Sequence, residues 1–237
     1  MSSAAATLLP RLSNRTARAY RQVVAKMQGF IPIRPDYYLK WGLSPQDAVC
    51  DCGLGNDADF SVDMISRFGC KVHGFDPTRK HQPSLQGIAA SHPGRFTLHP
   101  QAVCANAGEL EFFESERDIS GSLDRSHKNL QGESRAYRVS ALSLRDVFAL
   151  CAEPHFEVLK LDIEGAEYGV VSSLTADLAS RLGQLLIEFH HDVIPTYSMR
   201  DTDQAIAHLE TFGFKPMTVD DRNYLFARAS REARITQ

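Results

Sequence analysis

The sequence lacks any run of about 18 apolar residues, so it predicts no membrane-spanning helix. It also lacks a CxxC pair, because its cysteines stand apart as Cys50, Cys52, Cys70, Cys104 and Cys151. An odd number of cysteines at this spacing predicts neither a structural zinc site nor a disulfide framework, and favours a reducing, cytoplasmic location. No internal repeat or low-complexity linker divides the 237 residues, which suffice for one large hydrophobic core.

Acidic residues are missing from the first 35 residues, whose charged side chains are Arg11, Arg15, Arg18, Arg21, Lys26 and Arg34. Because the whole chain has a formal net charge of −3, residues 36–237 carry −9. An acid-free, Arg-rich start is typical of an organellar transit peptide, and a basic arm that touches an anionic partner is a second interpretation. We favour a helix over residues 15–28, where Tyr20, Val23, Val24 and Met27 recur at helical spacing. The prediction is a basic helical extension over residues 1–44, followed by one domain over residues 45–237.

A third glycine is missing from the first glycine-rich turn, Gly53-Leu54-Gly55, where dinucleotide-binding dehydrogenases carry GxGxxG. Ala58 stands in its place, as the looser GxGxxA form allows. The turn follows a short apolar strand and precedes a helix, and the next strand ends at Asp76 about 20 residues further on. A carboxylate at that point accepts hydrogen bonds from ribose hydroxyls in Rossmann-like folds. This order of elements predicts a site for a nucleotide-containing cofactor.

A second acidic segment, residues 160–167 (KLDIEGAE), follows the apolar run from Phe156 to Leu159. An apolar run of strand length that ends in carboxylates and a glycine is typical of a buried parallel strand that leads into a site. The plainer interpretation is the solvated first turn of a helix, where acids are favoured by the helix dipole. The next apolar strand ends at His190. We expect these two strands to be parallel neighbours, which would place Asp162 and His190 at one rim of the sheet.

The remaining pattern alternates strands with helices. We predict strands over residues 47–51, 71–75, 95–99, 156–162 and 183–190, and helices over residues 57–69, 81–90, 142–151 and 200–212. Residues 101–139 differ, because short strand-like runs there are separated by polar, glycine-containing loops. The last two strands, residues 214–219 and 224–228, flank a turn and predict a hairpin. The predicted fold class is α/β, a Rossmann-like, mostly parallel sheet of seven strands with a C-terminal antiparallel hairpin and helices on both faces.

Four segments together resemble the FkbM-type methyltransferases over roughly residues 45–228. They are residues 51–55 (DCGLG), 72–77 (VHGFDP), 160–167 (KLDIEGAE) and 186–190 (LIEFH), of which the third is close to the family's signature. The resemblance implies the class I methyltransferase fold and S-adenosyl-L-methionine (SAM) as cofactor. Two departures suggest a divergent subgroup: the family's first turn commonly reads Asp-x-Gly-Ala-Asn-x-Gly, and many members have Glu where this chain has Asp76.

The resemblance also implies roles for individual residues. Gly53 and Gly55 would let the backbone approach the methionine part of SAM, and Asp51 would hold either this turn or the amino group of SAM. Asp76 would take the ribose hydroxyls. Gln101 and Ala102 would lie near the adenine, and Ser122 and Asp162 are the remaining implied cofactor residues. Removal of a proton from the acceptor needs a base, for which His190, Asp162 and Glu188 are the candidate catalytic residues, and a histidine with its ordinary, near-neutral pKa suits that task.

Several alternatives stay open at this stage. Asp162, Glu164, Glu188 and His190 have the ligand types of a divalent cation site, although no local spacing resembles a metal loop, so we predict no metal. A nicotinamide-dependent oxidoreductase and a non-catalytic partner subunit of methyltransferase fold are the other function classes. The family implies a hydroxyl acceptor on a small molecule or sugar, and the acidic domain disfavours a nucleic acid. The oligomeric state is open, a homodimer included.

Overall fold

Hydrophobic runs of the sequence become the strands of two β-sheets and one short strand pair. The structure, a computed structural model, describes residues 23, 25–27, 29–34, 37–117, 121–130, 134–218 and 222–228. Within these residues the strands are β1 (Ile31–Pro32), β2 (Tyr38–Leu39), β3 (Ala48–Cys52), β4 (Lys71–Phe75), β5 (Phe96–His99), β6 (Ala102–Val103), β7 (Gly108–Ser115), β8 (Gly121–Ser122), β9 (Ser134–Leu142), β10 (Phe156–Leu161), β11 (Leu182–Glu188), β12 (Phe214–Thr218) and β13 (Asn223–Arg228).

The central sheet has seven strands in the order β5-β4-β3-β10-β11-β13-β12. Neighbours from β5 to β11 pair in parallel, whereas β13 pairs antiparallel with both β11 and β12. The predicted α/β, Rossmann-like fold with a seven-stranded sheet is confirmed. The order places β3, the first long strand, between β4 and β10, so the chain reverses direction across the sheet at that point.

The helices are α1 (Asp59–Phe68), α2 (Gln82–Ser91), α3 (Leu144–Cys151), α4 (Glu167–Ser172), α5 (Ala176–Ser180) and α6 (Met199–Thr211), with 3₁₀ turns at Arg79–His81 and Lys128–Leu130. They cover both faces of the central sheet, because alternate strand residues point to opposite sides and carry buried apolar side chains on each. Cys50 and Leu159 share one buried cluster with residues of α3 to α6, whereas Val49 and Val158 share another with residues of α1 and α2. None of the described helices is long and apolar enough to cross a membrane.

Capping residues fix where two of these helices begin. Before α3, the Ser143 side chain accepts a hydrogen bond from the Asp146 N–H, while Asp146 accepts from the Ser143 N–H, which completes a capping box. Ser198 and Asp201 form the same arrangement at α6. Each box satisfies backbone donors that the first helical turn leaves without partners. These capping residues explain where α3 and α6 begin, and each observed start lies within two residues of the predicted one.

A second sheet, in the order β6-β9-β7-β8, is built from residues 102–142. Its main component is the antiparallel pair β7 and β9, which runs in register from Gly108 opposite Ala141 to Ser115 opposite Ser134. The sequence predicts short strands separated by polar loops here. The two long strands are not predicted because the first halves of β7 and β9 carry exposed charged residues. These residues interrupt the apolar alternation by which a strand is recognised in a sequence.

The segment before β3 packs against the sheet through its last residues. Tyr38 and Leu39 are buried in the cluster that contains α1 and α2, and the Trp41 indole donates a hydrogen bond to Glu157 of β10 at 2.6 Å. Residues 23 and 25–27 are helical, and the rest of the helix predicted over residues 15–28 lies outside the described residues. The part of the predicted extension nearest the domain is thus built into its core.

Candidate functional site

The site begins where four parallel strands end at one edge of the central sheet. β3 leads into Gly53, β4 into Asp76 and β10 into Asp162, whereas His190 lies two residues beyond the end of β11. Because these strands are parallel neighbours, their carboxyl ends share one rim, which is where ligands bind in open α/β sheets. The rim holds a cleft lined by Gly53, Gly55, Phe75, Asp76, Pro77, Thr78, His81, Ala102, Val103, Phe112, Gly121, Leu123, Asp162, Ile163, Glu164 and Ala166.

The cleft brings together only part of the predicted cofactor residues. Those that line it are Gly53, Gly55, Asp76, Ala102 and Asp162. Asp51, Gln101 and Ser122 are not part of its lining. The Gln101 Oε1 atom is buried and accepts no hydrogen bond within the described part of the chain.

The two glycines of the first turn have different tasks. Gly53 has φ +87°, and a Cβ atom on it would lie 1.7 Å from the backbone oxygen of Asp162. Gly53 is therefore required for the close approach of the chain after β3 to the chain after β10. Gly55 has φ +62°, and a Cβ atom there would meet nothing within 4 Å. Gly55 leaves open space in the cleft that a ligand can fill.

Asp76 is held rigidly at the end of β4. One carboxylate oxygen accepts a hydrogen bond from the Leu54 N–H at 3.1 Å, and the other accepts from the Thr78 N–H at 2.8 Å. The side chain is buried but lines the cleft. A carboxylate has about four lone-pair positions, so two backbone donors leave acceptor capacity for two ligand hydroxyls. This arrangement fits the ribose of a nucleoside cofactor.

His81 is a cleft residue that sequence reasoning missed. It lies on the 3₁₀ turn before α2, is 3% exposed, and lines the cleft. Neither ring nitrogen makes a hydrogen bond within the described residues, although Nδ1 lies 3.6 Å from Asp76 Oδ2. Buried polar groups without partners are uncommon and costly, so this histidine indicates a ligand that satisfies it. The segment Arg79-Lys80-His81 carries no pattern that would have marked it.

Asp51 lies behind the cleft, in a buried ion pair. Its Oδ1 is 3.2 Å from the Lys160 Nζ, and its Oδ2 accepts a hydrogen bond from the Ser61 hydroxyl at 2.6 Å. Lys160 also donates to the Gly53 carbonyl at 2.8 Å. Burial lowers the pKa of Lys160, but Asp51 and Asp162 raise it well above its ordinary value, so the ammonium stays charged. Asp51 thus stabilises the glycine turn through Lys160, one of the two roles that the resemblance implies for it.

Ser122 contacts the site indirectly, through Glu164. Its hydroxyl donates to the Glu164 carbonyl at 2.6 Å, and its oxygen accepts from the Asp124 N–H at 2.9 Å. Glu164 has φ +51°, a conformation that costs a non-glycine residue about 1–2 kcal/mol. Its carboxylate lies 2.7 Å from the buried His127 Nε2. The strained turn keeps the Glu164 side chain at the cleft, and Ser122 holds that turn.

His190 is a buried cation surrounded by carboxylates. Its Nδ1 lies 2.7 Å from Glu167 Oε1, and its Nε2 lies 3.3 Å from Glu164 and 3.7 Å from Asp162. Burial by itself lowers the pKa of His190, but the carboxylates, Glu167 foremost, raise it to about 10. The near-neutral pKa expected for His190 is therefore wrong. A pKa this high keeps the proton on His190 at neutral pH, where the imidazolium lies beside three carboxylates.

Asp162 and Glu188 form the accessible, anionic part of the rim. The Tyr37 hydroxyl donates to Asp162 at 2.8 Å and lies 3.4 Å from Glu188. Burial, followed by Asp162, raises the pKa of Glu188 to about 7, against the opposing effects of His190 and Arg222. The pKa of Asp162 is lowered, because Lys160 and His190 outweigh the effect of burial. Tyr37 is 125 residues from Asp162 in sequence, and no local pattern could have placed it here.

The rim side chains that are of metal-ligand type do lie close together. Asp162, Glu188 and His190 each offer one atom within 4.8 Å of the others, and Glu164 borders them. Cationic side chains already contact both acids: Lys160 Nζ is 3.4 Å from Asp162, and Arg222 Nη2 is 2.6 Å from Glu188. The charge of the rim carboxylates is therefore compensated by the chain's own cations.

Comparison with known proteins places the chain in a family. The model of the methyltransferase FkbM domain matches residues 51–216. No curated protein matches the chain. Among solved structures, the chain is similar to the Methanococcus jannaschii fibrillarin pre-rRNA processing protein, with 12% identity, 88% of this chain and 74% of that chain covered, and a TM-score of 0.48.

Two further structures show similarity at the same distant level. The Aeropyrum pernix fibrillarin in complex with natively bound SAM is 11% identical, with 89% and 75% of the two chains covered and a TM-score of 0.45. The precorrin-6y C5,15-methyltransferase from Geobacter metallireducens is 9% identical, with 92% and 89% covered and a TM-score of 0.45. Similarity this distant says nothing of the acceptor used by this chain.

The family match covers more than two thirds of the chain and includes the glycine turn, Asp76 and the Asp162 segment. It confirms the resemblance to the FkbM-type methyltransferases and shows that the cofactor is SAM and not a nicotinamide. The chain belongs to the FkbM methyltransferase family, whose methyl donor is SAM.

Proposed function

We propose that this protein is an O-methyltransferase that transfers the methyl group of SAM to a hydroxyl group of a small molecule or sugar. The cofactor supplies a methyl group already activated on a sulfonium, so positioning is the larger part of the enzyme's task. The chain must then hold the acceptor hydroxyl and remove its proton. The proposal rests mainly on Glu188, a rim carboxylate whose pKa burial and Asp162 raise to about 7.

The cofactor half of the proposal concerns the side of the cleft next to β4. Asp76 would accept hydrogen bonds from the ribose hydroxyls, since its two backbone partners leave it acceptor capacity. His81 would make the hydrogen bond that its buried ring now lacks among the described residues. Gly55 would admit the methionine part of the cofactor, because the space above its Cα is open. Ala102 would border the adenine, as the family resemblance implies.

The acceptor half concerns the rim between β10 and β11. Asp162 lines the cleft with 27% of its side chain exposed, and Glu188 is 19% exposed. Partly exposed carboxylates accept hydrogen bonds, so they suit an acceptor that offers hydroxyl groups. Tyr37, whose hydroxyl donates to Asp162, fixes the direction of that carboxylate.

Glu188 is the proposed base, in place of His190. A base works best when its pKa lies near the operating pH, and the pKa of Glu188 is about 7. His190, with its pKa near 10, would keep its proton and favour the ionised forms of the Asp162 and Glu188 carboxylates before the proton is transferred. Asp162 would orient the acceptor, because its lowered pKa keeps it an anion that holds protons weakly.

The surroundings of the rim support a small acceptor over a nucleic acid. Residues 36–237 carry a net charge of −9, and carboxylates dominate the accessible side chains of the rim. Nucleic-acid binding relies on clustered Lys and Arg that neutralise phosphates. The five free cysteines suit work in the reducing cytoplasm.

A methyl-transfer assay with labelled SAM tests the proposal against a panel of sugars, hydroxylated small molecules and RNA. With the best acceptor, Glu188→Gln should lower turnover by roughly 10²–10⁴ and leave SAM affinity unchanged. The matched control is Glu210→Gln on α6, an exposed position that should keep full activity. Labelling of RNA alone would refute the small acceptor. Tight SAM binding without any turnover would support a non-catalytic partner subunit.

A further inference from the structure

Three metal-ligand side chains meet on the sheet away from the acceptor rim. His73 lies in the middle of β4, His99 at the end of β5, and Cys151 at the end of α3. His73 Nδ1 is 3.2 Å from His99 Nε2, and Cys151 Sγ is 4.0 Å from the same nitrogen. One ligand atom from each residue lies within 4.8 Å of the other two.

The two distances from His99 are close to those of a tetrahedral zinc site. Zinc bonds of about 2.0–2.1 Å to nitrogen and about 2.3 Å to sulfur place two nitrogens about 3.3 Å apart, and a nitrogen and a sulfur about 3.6 Å apart. The observed 3.2 Å differs little from the first value, and the observed 4.0 Å requires a movement of a few tenths of an ångström. The Cys151 side chain at a helix end can supply that movement by rotation.

The groups around the cluster orient its ligands. His73 Nε2 lies 3.6 Å from Glu153 Oε1, which would leave Nδ1 free to face the metal. Ligating histidines commonly use their second nitrogen in this way, toward a carboxylate. The His99 ring stacks on Phe75 with centroids 4.5 Å apart, which fixes its plane. Three residues from three separate elements are thus aligned before any ion binds.

We propose that His73, His99 and Cys151 form a Zn²⁺ site with water at the fourth position. Binding forms two Zn–N bonds and one Zn–S bond, and the Cys151 thiol releases its proton to solvent. The ion would link β4, β5 and α3, and the stacked Phe75 lines the cofactor cleft. The absence of a CxxC pair hides such a site from sequence analysis, because its ligands are 26 and 52 residues apart.

Zinc chloride titrated calorimetrically into the full-length, chelator-stripped protein tests this site. We expect one equivalent of Zn²⁺ to bind, with release of a proton, and excess zinc to raise the melting temperature by roughly 5 °C. Cobalt(II) as a second probe should give a thiolate-to-metal charge-transfer band, which only Cys151 among the proposed ligands can produce. Cys151→Ser and His99→Gln should each weaken zinc binding at least tenfold, and Cys151→Ser should abolish the band.

Matched controls separate this cluster from other cysteines, histidines and acids. Cys104→Ser and His92→Ala should bind zinc as the wild type does, and both variants can be checked for folding by circular dichroism. Glu188→Gln should also bind zinc normally, since the rim acids belong to a different cluster. Wild-type affinity in a folded Cys151→Ser variant, or loss of binding in Glu188→Gln, would overturn the proposal. Failure of the zinc site would leave the proposed methyl transfer untouched, because the assays share no readout.

Discussion

Raising the pH should destabilise the protein through a single buried histidine. In the folded protein the carboxylates of Glu167, Glu164 and Asp162 outweigh the effect of burial and raise the pKa of His190 to about 10. The ordinary value is about 6.5, and a difference of that size corresponds to on the order of 5 kcal/mol. Because the folded pKa is raised, this stabilisation is fully present below about pH 6.5 and is lost as the pH rises through about 10.

Two measurements check this expectation. Proton NMR should find no titration of the His190 ring between pH 5 and about 8.5, and urea unfolding should give a lower free energy of unfolding at pH 9.5 than at pH 6.5. Glu167→Gln supplies the matched variant, because it removes the carboxylate that lies 2.7 Å from Nδ1 but keeps the side-chain shape. In that variant the His190 pKa should fall and the alkaline loss of stability should shrink. A His190 ring that titrates near pH 6.5 in the folded wild type would refute this reasoning.

Three other expectations follow from the geometry of the site. Gly53→Ala should lower the free energy of unfolding, measured in urea, by at least about 2 kcal/mol, because the new Cβ would clash with the Asp162 backbone oxygen. Gly55→Ala should lower the free energy of unfolding by about 1–2 kcal/mol, and its main effect should be weaker SAM binding. Equal losses of stability in the two variants would contradict the different tasks assigned to these glycines. Tyr37→Phe should slow methyl transfer, measured by steady-state kinetics, more than it weakens SAM binding, measured by calorimetry. Unchanged kinetics would contradict a role for Tyr37 at the rim. A chain that begins at Gly29, which retains β1, should still gain thermal stability from SAM; loss of that gain would place the earlier residues in the domain.

The sheet could be predicted because its signal is local. Buried parallel strands appear in the sequence as short apolar runs, and the polar residue that follows each run marks the rim. Asp76 and Asp162 were found in this way, and the structure places both on the cleft. The β7 and β9 pair is poorly marked in the sequence, because the first half of each strand carries exposed, charged residues without apolar alternation.

The missed features depend on contacts between distant parts of the chain. Tyr37 reaches Asp162 across the sheet, and His81 owes its significance to a lack of partners among the described residues. The charge of His190 depends on four surrounding acids, of which Glu167 is fully buried. A pKa set by burial and several partners cannot be read from one sequence position. Sequence therefore located the rim, whereas the charges of its side chains depend on contacts that only the structure shows.

Calorimetric titration of SAM into the wild type and Asp76→Ala tests the central claim most directly. The claim is that the cleft beside β4 holds the methyl donor and that Asp76 takes its ribose. Loss of charge-assisted hydrogen bonds to two hydroxyls should cost on the order of 1.5–3 kcal/mol, which weakens binding at least tenfold. We predict one bound SAM per wild-type chain and this loss in the variant. Equal affinities in the two proteins, or no binding to the wild type, would contradict the claim.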